Sequence, residues 1–257
     1  MRFYSSRFST TRPFIWSFIT VIFLSCGAGN QGQKKENLYQ SKDLADFQGD
    51  FYNVGFLIME GVYNTELTAP YDIFHHTKFR EYIKPMKVFM VANTLKPIET
   101  FEGIRLLPDF DYTTDVLPEI DILVVPSAEG HLDKDLEDED MLDFVRQTSE
   151  KAEFVMSHCD GAFVLAKSGV LDGYESTTFP GDVEVYKQMF PHLTVHDSDS
   201  LLFVHHDKFI TSAGGAKSFE ASLYLCELLY GKKVADEIAE GMVIDWDIDA
   251  ISFLKVE

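Results

Sequence analysis

Short apolar runs alternate along this chain with segments of helical periodicity, and this alternation limits the possible folds most. Four runs rich in strand-forming residues are NVGFLIM (53–59), MKVFMVA (86–92), DILVVP (121–126) and EFVMSH (153–158). Helical patterns cover ELTAPYDIFHHT (66–77), with Pro70 near its start, and DEDMLDFVRQTSEKA (138–152). The alternation predicts an α/β fold with a largely parallel sheet sandwiched by helices. Functional residues gather beyond the carboxyl ends of the strands in such sheets.

The rest of the chain continues the pattern. GAFVLAKSGVLDG (161–173) predicts a helix ending near Gly169 or Gly173, and DVEVYKQMF (182–190) predicts another. Two strands are predicted over 200–206 and 208–213, followed by a long helix over 217–230 and a last helix over 234–246. IETFEGIRLLPDFDY (98–112) indicates a hairpin or an edge element.

The N-terminal 26 residues have the composition of a secretory signal peptide. A basic start with no acidic residue is followed by the apolar run PFIWSFITVIFL and by SCGAG. The FLSC sequence before a glycine is typical of a bacterial lipobox, which predicts lipidation of Cys26. The chain is then an exported cell-envelope lipoprotein that contacts the membrane only through this anchor. An uncleaved membrane anchor is the alternative, although the run is shorter than the about 20 apolar residues that a span needs.

Residues 27–50 are polar and without apolar periodicity, which predicts a linker to a single domain over 51–257. The chain has 257 residues, and its formal net charge is −20. A surface this negative repels nucleic-acid phosphates, so nucleic-acid binding is not expected. Cys226 lies in a helical apolar pattern and is predicted to be a buried hydrophobe, which leaves Cys159 as a free thiol.

Cys159 lies between a predicted strand and a predicted helix. The small residues Ser157 and Gly161 stand two positions on either side. This S-x-C-x-G spacing is similar to the G-x-S-x-G nucleophile elbow of hydrolases. A helix that begins just after the cysteine would lower the pKa of the thiol, whereas Asp160 would act in the opposite direction. The spacing leaves a reactive thiolate and a small buried side chain both open.

Several stretches together resemble the ThiJ/PfpI family of the class I glutamine amidotransferase-like superfamily, whose fold is flavodoxin-like. They are SHCDGAFVLAKSGVLDGYESTT, FLIMEGVYNTELTAPYDIF, DILVVPSAEGH, KFITSAGGAKSFEASLYL and EGMVIDWD. The resemblance covers nearly all of residues 52–247. It is strongest to the subgroup of isonitrile hydratases and the amidotransferase-like domains of AraC-type regulators.

The resemblance implies roles for four residues. Cys159 matches the elbow cysteine, and Glu66 matches the acid that hydrogen-bonds it. In its protonated form this acid would donate to the sulfur and favour the thiolate. Without the resemblance, Glu66 would be interpreted as an ordinary acid of a helix N-terminus. The backbone N–H groups of Asp160 and Ala128 match the donors of an oxyanion site. The resemblance further implies a homodimer and no cofactor.

The chain also departs from the family pattern. Ser127 and Ala128 replace a glycine pair, which would be strained if the turn needs positive φ. Asp160 stands where relatives carry Thr or His, and Phe179 stands where many have His, so the usual histidine bases are missing. His158 precedes the cysteine and, by strand alternation, points to the other face, which favours a structural role.

The other polar clusters suggest no metal site. No pair among His75, His76, His196, His205 and His206 has the helical spacing and acid typical of zinc sites. We interpret them as surface or loop residues. DKDLEDEDMLD (133–143) lacks the spacing and glycine of an EF-hand and is interpreted as a solvated face.

Two functions therefore remain open for the domain. The first is a hydratase or hydrolase that acts on a small C–N or carbonyl compound through Cys159 and Glu66. The second is a small-molecule-binding or stress-response protein of the same fold, in which Cys159 is a redox-sensitive thiol. Asp160, Phe179 and the altered glycine turn favour the second. A transcriptional role is the least expected, because the chain has no DNA-binding extension and is strongly acidic.

Overall fold

The computed structural model describes residues 39–197 and 200–256. The strands within these ranges, in chain order, are β1 (Tyr52–Leu57), β2 (Met86–Ala92), β3 (Ile98–Glu99), β4 (Arg105–Leu106), β5 (Phe110–Asp111), β6 (Ile122–Val125), β7 (Phe154–His158), β8 (Glu175–Ser176), β9 (Thr194–Val195), β10 (Phe203–His206), β11 (Phe209–Ser212) and β12 (Leu254–Val256). The α-helices are α1 (Asn64–His76), α2 (Glu139–Lys151), α3 (Gly161–Lys167), α4 (Val183–Met189), α5 (Ser218–Tyr230) and α6 (Lys232–Gly241).

The main sheet has the strand order β12-β10-β11-β7-β6-β1-β2-β5. Its neighbouring strands are parallel, except for the antiparallel pair β10 and β11. This arrangement confirms the predicted largely parallel sheet. The order reverses between β1 and β6, which is the switch point where such sheets open a crevice at their carboxyl ends.

Apolar side chains fill both faces of the sheet, as the apolar composition of the central strands requires. On one face, Val54 and Phe56 pack with residues of α1, α5 and α6. On the other face, Leu57 and Leu123 pack with residues of α2 and α3. The domain is therefore an α/β sandwich, and its helices cover the sheet on both sides.

The packed structure begins before the predicted boundary at residue 51. Residues Leu44–Phe47 form a 3-10 helix whose N-cap is Asp43. Phe47 is buried, and its ring makes edge contacts with Phe89 and Phe110 at centroid distances of 4.9 and 5.3 Å. The linker prediction is therefore wrong for this part of 27–50, because an aromatic anchor fixes it to the sheet. Residues 1–38, including Cys26 and the predicted signal peptide, lie outside the described residues.

Two helix boundaries and one strand differ from prediction. Helix α1 begins at Asn64, so Pro70 lies inside the helix and not near its start. Helix α6 ends at Gly241, since the chain leaves the helix at Met242 and Val243 then takes a φ of 58°. The C-terminal strand β12 pairs with β10 and was not predicted. The segment 98–112 forms both proposed elements, a β3–β4 hairpin and the edge strand β5.

Within the described ranges, none of the helices combines the length and apolarity needed to cross a bilayer.

Candidate active site

Cys159 forms a sharp turn between β7 and α3, as the S-x-C-x-G spacing predicts. Its φ is 54°, one of three positive values among the described non-glycine residues. Its N–H donates to the Ser212 carbonyl at 2.9 Å, which continues the pairing with β11 for one residue beyond β7. Such a strained conformation persists only where the surrounding structure enforces it. The turn therefore holds the thiol at the carboxyl edge of the sheet.

Two glycines leave the space that this turn needs. A Cβ at Gly161 would lie 2.1 Å from the carbonyl oxygen of Val125. A Cβ at Gly214 would lie 2.3 Å from the Cβ of Cys159, and Gly214 has a φ of 78°. Close backbone packing therefore explains the glycine after the cysteine, and it also explains the glycine that follows β11.

Glu66 lies in the first turn of α1 and points into the same edge. Its Oε2 accepts from the Ser127 N–H at 3.2 Å, and its Oε1 accepts from the Gly215 N–H at 3.0 Å. The side chain is buried, with 6% of the residue exposed. The two backbone donors come from the turns after β6 and after β11. The structure thus brings the predicted acid and the predicted cysteine together, since the charge of this carboxyl acts on the Cys159 thiol and raises its pKa.

Asp160 places a second carboxyl beside the sulfur. Its Oδ2 lies 3.7 Å from Cys159 Sγ, and its Oδ1 lies 3.1 Å from Thr178 Oγ1. Thr178 Oγ1 also lies 3.1 Å from the Cys159 carbonyl oxygen, to which it can donate. Sequence reasoning assigned only the backbone N–H of Asp160 to the site. Its side chain is also part of it, because the start of α3 turns the carboxyl back to the thiol.

Burial dominates the electrostatics of these three acids. It raises the pKa of the Cys159 thiol, and the charges of Glu66 and Asp160 raise it further. The backbone N–H of Asp160 opposes that rise. The rise expected from Asp160 therefore outweighs the lowering expected from the helix. The cause is that α3 is a short helix, whereas the sulfur is buried between two carboxyls.

The carboxyls of Glu66 and Asp160 differ in how strongly their pKa is raised. Burial raises the pKa of Glu66, against the N–H of Gly215, the Cys159 thiol and the N–H of Ser127. Burial, together with the charge of Asp182, raises the pKa of Asp160 to about 7. Asp160 is thus the carboxyl that changes its protonation state near neutral pH.

The turn after β6 carries Ser127 and Ala128 without backbone strain. Neither is among the described non-glycine residues with positive φ, which are Cys159, Asp207 and Val243. The expected cost of replacing the glycine pair is therefore absent, and Ser127 adds a hydroxyl beside the sulfur. The Ala128 N–H donates to His131 Nδ1 at 3.3 Å. It therefore already has an acceptor in the protein, and its role as an oxyanion donor stays a prediction.

His131 is a site neighbour that sequence reasoning missed. The residue is fully buried, and burial lowers its pKa to about 3, so the ring is neutral. Because Nδ1 accepts from Ala128, the ring proton lies on Nε2. The only sequence signal was its position five residues after Pro126, in the turn that resembles the family pattern.

The other histidines lie away from the sulfur or serve the fold. His158 is fully buried, its Nδ1 lies 2.9 Å from Ser212 Oγ, and burial lowers its pKa to about 3. This agrees with the structural role predicted for it. His205 lies between the Tyr224 hydroxyl and the Asp207 carbonyl, both at 2.7 Å. Across the described ranges, no group of three or more His, Cys, Asp or Glu side chains is arranged to hold a metal ion.

Both cysteines of the described part are buried free thiols. Phe179, at the position where many relatives have His, is 42% exposed. Tyr63 lies on the same edge of the site, where burial and the charges of Cys159 and Glu66 raise its pKa. Its ring packs on Phe101 at a centroid distance of 4.7 Å.

A strained cysteine at the carboxyl edge of a largely parallel sheet, with a buried carboxyl from the first helix, defines a class of α/β proteins built around a nucleophile elbow. The chain belongs to the DJ-1/PfpI family, whose model matches residues 52–228.

Individual relatives agree with this membership. The chain is 33% identical over 125 residues to isonitrile hydratase of Pseudomonas putida, and this match covers 49% of the chain and 51% of that relative. It thus spans only about half of the hydratase. The crystal structure of Drosophila melanogaster DJ-1beta is similar with a TM-score of 0.66 and 21% identity, covering 76% of this chain and all of the other. An AraC family transcriptional regulator from Pseudomonas putida follows with a TM-score of 0.63 and 19% identity, over 74% of this chain and 99% of the regulator. The two structures support the fold.

Proposed function

We propose that this protein is a cysteine-dependent hydratase or hydrolase that acts on a small C–N or carbonyl compound. The observation that carries the proposal is the strained Cys159 turn, whose sulfur lies between the carboxyls of Glu66 and Asp160. A φ of 54° at a non-glycine residue costs energy that packing must offset, and such strain concentrates at functional sites. The similarity to isonitrile hydratase supports a C–N substrate.

An isonitrile shows how the site would act. The Cys159 sulfur bonds to the terminal carbon, and the thiol proton is transferred to that same carbon, which gives a thioimidate. Water then adds to the C=N carbon, the nitrogen takes a proton, and the C–S bond breaks. The products are an N-substituted formamide and the regenerated thiol, so one water is consumed for each isonitrile. Glu66, fixed by two backbone N–H groups, orients the thiol through the whole sequence.

Turnover measurements test the proposal. Purified protein is assayed on isonitriles, amides and α-oxoaldehydes, with Cys159→Ala and Glu66→Gln as variants and Cys226→Ala as the matched cysteine control. We expect Cys159→Ala to abolish turnover and Glu66→Gln to lower kcat by at least about tenfold, because the thiol loses the carboxyl that orients it. Cys226→Ala should retain turnover, because Cys226 is buried in the apolar core. Equal turnover in Cys159→Ala and the wild type would overturn the proposal.

One observation favours a second function, a non-catalytic small-molecule-binding protein. Cys159 is only 7% exposed, and burial raises its pKa, both of which slow attack on a substrate. In that case the wild type would turn over none of the substrates. The turnover assay therefore distinguishes the two functions.

We also propose that the chain is exported and anchored to the cell envelope through lipidated Cys26. The basic start, the apolar run and the FLSC sequence support this localisation. Membrane fractionation of cells expressing the wild type and Cys26→Ala tests it, and an equal distribution of both would contradict it. The homodimer stays a prediction from the family resemblance.

A further inference from the structure

The Asp160 carboxyl has no use in the roles assigned so far, although it touches the reacting atom. Its Oδ2 lies 3.7 Å from Cys159 Sγ, and the residue is 8% exposed. It follows the cysteine directly, so the strained turn fixes both groups together. No ion pair of the described residues includes this carboxyl. A buried carboxyl without a cationic partner needs another explanation.

The hydrogen bonds around Thr178 link Asp160 to a movable proton. The Thr178 hydroxyl has one proton, and its oxygen lies 3.1 Å from both the Cys159 carbonyl and Asp160 Oδ1. When the hydroxyl donates to the carbonyl, Asp160 must itself be protonated in order to bond to Thr178. When Asp160 is ionised, the hydroxyl can turn to the carboxylate. Both protonation states of Asp160 therefore have a hydrogen-bonded arrangement.

Glu66 differs from Asp160 in its donors. Two backbone N–H groups bind the two oxygens of Glu66 and favour its carboxylate form. Asp160 accepts from the Thr178 hydroxyl and the thiol alone, and the other charges acting on it, from Asp182 and Glu66, are also negative. Of the two carboxyls beside the sulfur, Asp160 is therefore the better suited to gain and lose a proton during a reaction.

We propose that Asp160 is a catalytic proton-transfer residue, which takes the thiol proton as the sulfur attacks and returns it to the substrate. This rests on the proposed function and supplies the base that a histidine would provide. For an isonitrile, the S–H bond breaks and the proton moves to Oδ2, while the S–C bond forms. The proton then passes from Oδ2 to the former isonitrile carbon. The carboxylate is restored before water adds, so protons and electrons balance.

The pH dependence of thiol alkylation tests this role without any substrate. The full-length wild type, Asp160→Asn and the matched variant Asp182→Asn react with iodoacetamide between pH 5 and 9, and peptide mass mapping measures Cys159 modification. We expect the wild-type rate to rise with pH and to level off around a midpoint near 7, where Asp160 ionises. Asp160→Asn should react at least tenfold more slowly at pH 7.5 and lose this midpoint.

The Asp182→Asn variant keeps Asp160 as the base, but it lacks the neighbouring charge that raises the pKa of Asp160. We expect its midpoint to move to lower pH while its plateau rate stays that of the wild type, which a merely structural role would not produce. The groups that interact electrostatically with Asp160 are Asp182, Glu66, Cys159, Thr178 and Tyr63. Glu66 and Tyr63 are unchanged in Asp160→Asn and in Asp182→Asn.

A faster reaction of Asp160→Asn at pH 7.5 overturns the inference, because it would show that the carboxylate only repels a thiolate. An unchanged midpoint in both variants also overturns it. The proposed function fails separately. If the alkylation profile behaves as expected while no isonitrile, amide or oxoaldehyde turns over, removal of the thiol proton by Asp160 stands, whereas the return of that proton to a substrate falls together with the hydratase or hydrolase assignment.

Discussion

The two cysteines of the described structure are both buried free thiols, yet their surroundings differ in kind. Cys226 lies in the middle of α5, fully buried among apolar side chains. Cys159 is 7% exposed, has positive φ and lies between two carboxyls. Burial raises the pKa of both thiols. Neither burial nor a shifted pKa therefore identifies the site. The strained backbone and the two carboxyls beside Cys159 identify it.

The largest effect on the difference between the two cysteines is expected from a substitution in the backbone turn around Cys159. Gly161→Ala would place a methyl carbon 2.1 Å from the Val125 carbonyl oxygen, and both groups belong to backbone that the sheet and α3 hold in place. We expect no folded protein, or a loss of more than about 4 kcal/mol in the free energy of unfolding, because overpacking against backbone cannot relax. Expression level shows whether folded protein forms, and urea denaturation measures the loss of stability.

Gly173→Ala is the control for this substitution. Gly173 has a φ of 86° but nothing lies within 4 Å of its added Cβ. Only the cost of a left-handed alanine remains there, about 1 kcal/mol. Equal losses in the two variants would show that positive φ, and not the packing of the elbow, determines the glycine requirement.

The contrast between these glycines also shows what sequence reasoning could reach. The S-x-C-x-G spacing predicted the turn, because the need for small residues there is local. The alternation of apolar runs predicted the sheet, because every central strand is buried on both faces. In contrast, Phe47 looked like part of a polar linker, since a single aromatic residue carries no periodicity. The contact that buries it comes from Phe89 and Phe110, distant in sequence.

The electrostatics of the site could not be predicted for a similar reason. The sequence placed Asp160 next to Cys159, but it could not show whether the carboxyl points to solvent or to the sulfur. That direction depends on Thr178, which comes from the loop after β8. His131 was missed because its burial against Ala128 depends on the path of the turn after β6. The environment of a side chain was therefore predictable where its neighbours in sequence determine it. It was not predictable where loops from several strands meet.

The carboxyl at Cys159 provides the next test, since no carboxyl contributes to the raised pKa of the Cys226 thiol, although Glu227 follows it in the chain. Asp160 has a folded pKa of about 7, against 3.8 for an ordinary Asp. Between these values the folded state keeps a proton that the unfolded state has released. Stability therefore falls as pH rises from about 4 to 7 and stays low above that. The difference corresponds to at most about 4 kcal/mol.

Asp160→Asn removes this titration. We expect the variant to be more stable than the wild type at pH 8, by up to about 4 kcal/mol, with the advantage shrinking as pH falls to 4. Urea denaturation of both proteins at pH 4, 6 and 8 measures it. The three buried histidines, His131, His158 and His205, titrate alike in both proteins, so their effects cancel. A pH-independent difference would show that Asp160 is ionised in the folded state throughout.

The smallest expected effects come from replacing the two cysteines themselves, and here the order of two substitutions distinguishes the positions. At Cys226, in the middle of a helix, Gly should be less stable than Ala by about 1 kcal/mol, since it lowers helix propensity. At Cys159, with a φ of 54°, Ala keeps the left-handed strain and Gly relieves it, so Gly should be the more stable by about 1 kcal/mol. Each pair removes the same sulfur, so the loss of buried side chain is largely shared within a pair and the backbone term remains. Urea midpoints of the four variants give both differences. The same order at both positions would mean that the turn relaxes once the thiol is gone, and that contacts of the sulfur, not the surrounding backbone, hold Cys159 in its strained conformation.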